Sequence, residues 1–155
     1  MVSPNIQVSA PGLAQDQIQA EQAWLKEFLQ DADSLNWSIW GKWWADDAFL
    51  QFGNTPRMEG KESIQKYMEP QFSVLEFVHH EVSRISFDVP LGLIYQTVVV
   101  TYKVKGDPQG RSIQVPGFSV LHKQVGENLL KGLEVYSDGG PVEAVVKEVL
   151  GRTKS

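Results

Sequence analysis

Apolar residues of the first third of the chain recur with the period of a helix. From Ile18, the residues Ile18, Ala20, Trp24, Leu25, Phe28, Leu29 and Ala32 follow steps that place most of them on one face, and the run stops at Asp33–Ser34. Ser34 is placed to cap a second helix. In that helix Trp37, Trp40 and Trp44 fall at i, i+3 and i+7 and share a face, with Ile39 and Trp43 on its flank. Asp46 and Asp47 suit the turn into a short strand at 48–52, because the C-terminal end of a helix dipole disfavours anions. Asn54, Pro56 and Gly60 punctuate the chain before a third helix from Glu62 to about Phe77. Its apolar positions are Ile64, Tyr67, Met68, Phe72 and Leu75, and Pro70 predicts a kink or break.

Beyond residue 77 the period changes to alternation. The segments FVHHEVSRISFDV, LIYQTVVVTYKVKG, RSIQVPGFSVLHKQV and ENLLKGLEVYSD read as four strands. VPLG, KGDPQGR and QVGEN supply the turns between them, so consecutive strands are expected as antiparallel neighbours. With the strand at 48–52, this predicts an α+β domain: a curved, mostly antiparallel sheet of about five strands wrapped around the N-terminal helices as a cone. A last helix begins at Pro141, a favoured first-turn position. Residues 1–15, with Pro4, Pro11 and Gly12, read as a flexible arm, 16–151 as a single domain and 152–155 as a tail.

Composition narrows the chemistry. A chain of 155 residues that is 42% hydrophobic suits one domain with a core of ordinary size. Fourteen Lys and Arg against nineteen Asp and Glu give a net charge of −5, with no basic run to track a phosphate backbone, so nucleic acid is excluded as an expected partner. The chain has no cysteine, which removes thiolate nucleophiles and Cys-based metal sites. No segment has the roughly 18 apolar residues of a membrane span, and no leader pattern opens the chain, so the expectation is a soluble, cytoplasmic protein with no membrane partner. Three histidines with no carboxylate pair placed beside them point to no metal site, and the scattered glycines form no phosphate loop, so no cofactor is expected.

The passage WADDAFLQFGNTPRMEGKESI and the closing GLEVYSDGGPV resemble the nuclear transport factor two-like, SnoaL-like superfamily of polyketide cyclases, scytalone dehydratase and ketosteroid isomerase. The resemblance runs from about Ile18 to Val142 and implies a cone with an apolar cavity. It carries fold better than chemistry. Aligned on the epoxide hydrolase branch, the catalytic Arg and Asp positions fall on Val98, Val100 and Val135, and the water-holding positions on Leu50 and Phe52. Aliphatic and phenyl groups cannot activate water or protonate an epoxide, which rejects that branch. The ketosteroid isomerase base falls on Phe52 and a helix Tyr on Phe28, so that machinery is missing too.

What the resemblance leaves is a greasy cavity lined by Trp40, Trp44, Leu50, Phe52, Tyr67, Val98, Val100, Leu133 and Val135, suited to a small hydrophobic molecule. His79 and His80 are consecutive on a strand, so only one faces inward, and the alignment favours His79. The dehydratase branch is similar in having an acid/base histidine in this part of the sheet and an Asp at the position of Asp33 that orients it, although its neighbouring Tyr is Ala32 here. Tyr102 is placed to donate to a developing enolate.

The expected catalytic set is therefore His79, Asp33 and Tyr102, in a cofactor-independent cyclase, isomerase or dehydratase acting on a polyketide- or terpenoid-like substrate. The alternative is a non-catalytic ligand-binding or dimerisation module of the same fold. His122, near a hairpin, and Asp46, Asp47 and Asp138 are expected at the surface. Outward-alternating Tyr95, Thr97, Val99 and Thr101, with Tyr136, form a face apolar enough for a homodimer, which the resemblance also implies.

Overall fold

The stripe that starts at Ile18 forms α1 (Gln15–Asp33), in a computed structural model that describes residues 5–153. Its buried face carries Glu21, Trp24, Leu25, Phe28 and Ala32, of which Phe28 is 1% exposed. Burying a Phe or Leu side chain to this degree stabilises by about 1.5–3 kcal/mol, so the face, rather than helix propensity, holds α1 in place.

The tryptophan helix is much shorter than its spacing predicts. Helix α2 covers Trp37–Trp40, one 3₁₀ turn follows at Gly41–Trp43, and Trp44 already opens strand β2 (Trp44–Phe52). Its N-cap is Asn36, which accepts the Ser38 N–H, whereas the Ser34 hydroxyl donates back to the Asp31 carbonyl. The turn tightens where Trp37 lies against Gly41, since a Cβ there would sit 2.9 Å from the indole. Trp44 then pairs with Leu130 in a parallel ladder. The three indoles still meet, Trp40 and Trp44 edge to face at 5.2 Å, but the cluster is built across a helix and a strand. Asp46 and Asp47 stay in the strand, exposed, where its ladder is irregular between Trp44 and Phe49.

Helix α3 (Lys61–Ser73) ends four residues earlier than expected. Pro70 lacks the amide hydrogen that would continue the ladder, the Ser73 hydroxyl donates to the Pro70 carbonyl at 2.7 Å, and Leu75–Phe77 join a strand.

The alternating segments form β4 (Leu75–Asp88), β5 (Leu93–Val104), β6 (Ile113–His122) and β7 (Leu130–Ser137), each the antiparallel neighbour of the next. Among the described residues the sheet has seven strands rather than five. Strand β1 (Gln7–Ser9) pairs in parallel with Arg84–Ser86 of β4, and the short β3 (Met58–Glu59) pairs with β2, giving the order β1-β4-β5-β6-β7-β2-β3. Part of the expected N-terminal arm is thus a strand, while residues 1–4 of that arm and 154–155 of the tail lie outside the described residues. Two of the six pairings, β1 with β4 and β2 with β7, are parallel, so the sheet is mixed. Long-range parallel partners leave no turn signature in a sequence.

Helix α4 (Gly140–Thr153) starts beside Pro141 as expected, with the Gly140 amide donating to Asp138. Val145 and Val149 pack on Val104 of β5, and Arg111 clamps Asp107 of the β5–β6 turn to Glu148 of α4 at 3.0 and 2.9 Å. No helix among the described residues is long and apolar enough to cross a membrane.

Register defines the face of the sheet that the helices cover. One row runs Phe87, Ile94, Leu121, Leu133 and Leu50; the next runs Ile85, Gln96, Ser119, Val135 and Phe52. Then come Val82, Val98, Gly117 and Ser137, followed by His80, Val100 and Val115, and last Val78, Tyr102 and Ile113.

Candidate functional site

The C-terminal end of α1 meets the inner face at the row of His80. Asp33 Oδ1 lies 2.5 Å from His80 Nδ1, and its Oδ2 accepts the His80 backbone N–H at 3.3 Å. Strand β1 covers only Arg84–Ser86 of β4, so at His80 the carboxylate occupies a side of β4 that carries no neighbouring strand. The carboxylate is placed to accept a hydrogen bond from Nδ1–H, which turns Nε2 to the other side of the ring. Asp33 and His80 side chains are 18% and 23% exposed, enough shelter for the pair to act as a unit and enough access for proton exchange.

The orientation of the two histidines is the reverse of the expected one. His80 shares the face of Val78 and Val82, whereas His79 alternates outward with a side chain 54% exposed. The β4 ladder decides this: Val98 and Val100 of the apolar face stand opposite Val82 and His80, so His79 is left opposite outward Thr101. His79 nevertheless keeps its Nδ1 3.5 Å from Asp33 Oδ2, so one carboxylate serves both rings.

Tyr102 is on the inner face, one row beyond His80, packed with Val78, Val98 and Val100. Its phenol is pushed above the ordinary value, first by burial and then by the negative charge of Asp33. Tyr67 on α3 is raised by burial, then by Glu143 of α4. A raised tyrosine is neutral in the fold over a range in which the unfolded chain already ionises. That contribution is present in full below the unfolded value near 10.0 and is lost as pH rises through the folded one. Titration of phenolate absorbance should therefore lag that of the denatured chain, and stability should fall on the alkaline side; coincident curves would contradict this placement.

The expected cavity walls are largely core. Trp40, Trp44, Leu50 and Leu133 are 5%, 1%, 0% and 8% exposed in the main cluster, with Phe52, Tyr67 and Val135 packed against it. Val98 and Val100 belong to a second cluster with Val78, against which Leu35, Val82 and Tyr102 pack. Leu35 is the one described non-glycine residue at positive φ, 56°, and it closes the loop after Asp33 over that cluster. Beside it an open groove of about 680 Å³ runs between the α1–α2 loop, α3 and the start of β4, lined by Asn36, Trp37, Gln65, Phe72, Leu75 and Lys105 among others.

Two inward residues were not among the expected ones. Gln96 and Ser119, 4% and 7% exposed, stand opposite each other on β5 and β6 in the apolar face. Alternation alone could have found them, since each interrupts a run of apolar residues of one parity. His122 and Glu134 pair at 2.6 Å on the opposite face, where Tyr136 also donates to Glu134. These two donors hold the Glu134 carboxyl below its ordinary value, His122 more strongly. No group of three potential metal ligands occurs among the described residues.

This architecture is the nuclear transport factor two-like, SnoaL-like fold. A structure of PrhC from Penicillium brasilianum superposes with a TM-score of 0.73 at 9% identity, over 88% of this chain and 92% of that one. SalBIII, an epoxide hydrolase/cyclase-like enzyme in pyran ring formation in the polyether salinomycin, gives 0.65 at 11% identity over 78% and 92%. A nuclear transport factor two-like protein of unknown function from Cytophaga hutchinsonii gives 0.56 at 14% identity over 79% and 93%. At such identities the likeness is one of fold. No protein-family model and no curated protein sequence matches the chain.

Proposed function

We propose that the protein is a cofactor-independent acid/base enzyme of the cyclase, isomerase or dehydratase type, acting on a small hydrophobic molecule with an enolisable carbonyl or a leaving hydroxyl. The observation that carries this reading is the His80 Nδ1 to Asp33 Oδ1 contact of 2.5 Å, with Tyr102 one row away on the same face. His80 Nε2 takes a proton from the carbon next to the carbonyl, Asp33 stabilises the imidazolium, and the Tyr102 hydroxyl donates to the enolate oxygen. Return of that proton to a different carbon completes an isomerisation; loss of a β-hydroxyl with the same proton completes a dehydration. The open groove beside Leu35, which packs on the Val78–Val98–Val100 cluster, is the way in for the substrate.

A general test needs no natural substrate. Incubating a bicyclic ketone such as 2-tetralone in heavy water should give enzyme-dependent exchange of its α-protons, lost in His80→Ala. Exchange that is equal with and without protein sinks the acid/base reading.

The second reading is a binding or dimerisation module. It is favoured by the dense packing of Trp44 and Leu50, 1% and 0% exposed, and by the Asp33 bond to the His80 backbone, which clamps α1 to β4 whether or not chemistry occurs. Both readings include a homodimer formed through the outer face, where Val99, Phe118 and Tyr136 are 38%, 38% and 44% exposed and Tyr95 stacks on Phe118. Light scattering should return twice the chain mass, and the mass of one chain would rule the dimer out.

A further inference from the structure

We infer that Gln96 and Ser119 form an inner anchor for a hydroxyl group of the ligand, at the end of the inner face away from His80. Four buried side-chain polar atoms among the described residues have no hydrogen-bond partner: Gln96 Oε1, Ser119 Oγ and the indole nitrogens of Trp40 and Trp44. A buried polar group left unmet costs about 1–3 kcal/mol, so four in one interior ask for an occupant. Gln96 and Ser119 are directly opposite on antiparallel strands and on the same face, which sets their Cβ atoms roughly 4.5–5.5 Å apart. Both are more than nine-tenths buried.

The chemistry of the pair selects its guest. Gln96 Oε1 only accepts, and Ser119 Oγ–H can donate. A ligand hydroxyl donates to the first and accepts from the second, satisfying both, whereas a ketone leaves the glutamine oxygen unmet.

Spacing gives the size of the substrate, and this step rests on the acid/base role of His80. His80 stands opposite Val100, four residues along β5 from Gln96, roughly 13 Å at strand rise. Gln96 and Ser119 hold the hydroxyl oxygen at one end, and His80 Nε2 faces the carbon that gives up its proton at the other, so more than one six-membered ring separates the two ligand atoms. The substrate class is therefore a fused bicyclic or larger flat molecule with a hydroxyl, such as a phenol, at the end remote from the reacting carbonyl.

The probes are 2-naphthol and 2-methylnaphthalene, with binding read by tryptophan fluorescence. Wild-type protein should bind the naphthol at least tenfold more tightly, and Ser119→Ala and Gln96→Leu, each checked for folding by circular dichroism, should bring the ratio close to one. His80→Ala should leave the ratio unchanged. A ratio near one in the wild type, or no naphthol binding, overturns the anchor and leaves the two groups to an ordered water; so does a ratio that survives in both variants. If the preference holds while ketone exchange is absent, the anchor stands and the acid/base reading falls; the reverse pattern removes the anchor alone.

Discussion

His80→Ala is expected to reduce ketone proton exchange by about 10²–10⁴-fold, the usual contribution of a positioned general base, while His79→Ala changes it only a few-fold. The asymmetry follows from alternation, because His80 lies on the inner face and His79 points outward with a half-exposed ring. Asp33 acts through the imidazole, 2.5 Å from Nδ1, and is a positioning residue, so Asp33→Asn should lower the rate in the wild-type background and change it little once His80 is Ala. Tyr102→Phe should lower the rate by about 10²-fold or more if the phenol donates to the enolate. Equal losses in His79→Ala and His80→Ala would show that neither ring is privileged.

Lys123→Ala should cost about 3–5 kcal/mol of stability, the usual consequence of breaking a buried ion pair, or a fall in Tm of roughly 10 °C for a domain of this size. The Lys123 ammonium is 0% exposed and bonds the Glu21 carboxylate, whose other oxygen accepts the Gly126 amide. Removing Lys123 strands Glu21, 4% exposed, without its counter-ion and also removes a cation resting 4.9 Å from the Trp24 ring. The double change Glu21→Leu with Lys123→Met leaves no charge behind and should unfold close to the wild-type temperature. Thermal unfolding followed by circular dichroism measures both, and a loss under about 1 kcal/mol for Lys123→Ala would mean that the pair is solvated. The pair fastens one end of α1 to the β6–β7 side of the sheet, as Asp33 fastens the other to β4, so it indirectly holds Asp33 against His80.

Local periodicity carried most of the fold. The stripe of α1, the four alternating strands with their Gly- and Pro-bearing turns, and the last helix beside Pro141 each rest on neighbours in sequence, and each stands at or near its expected place. What escaped was non-local. Trp44 fits the helical spacing of Trp37 and Trp40, yet pairing with Leu130, 86 positions away, draws it into a strand. Strands β1 and β3, of three and two residues, are too short for a periodic signal and exist through their partners on β4 and β2.

The site was legible to the same limit. Alternation along β5 puts Val98, Val100 and Tyr102 on one parity, and the ladder keeps all three on one face. The choice between His79 and His80 turned on the parity of one strand relative to its neighbour, and parity flips with a one-residue error in register. Counting apolar positions back from Val78 and Val82 would have put His80 inside. Gln96 and Ser119 carry no titratable group, and their signal is instead that of a lone polar residue in an apolar parity.

The most direct test of the acid/base reading is a crystal structure with a hydroxylated bicyclic ketone bound. The account predicts the ketone oxygen or its α-carbon within hydrogen-bonding reach of the His80 imidazole and Tyr102. A ligand confined to the open groove beside Trp37 and Phe72, or a His80 ring whose Nε2 is engaged by a backbone carbonyl, would contradict it.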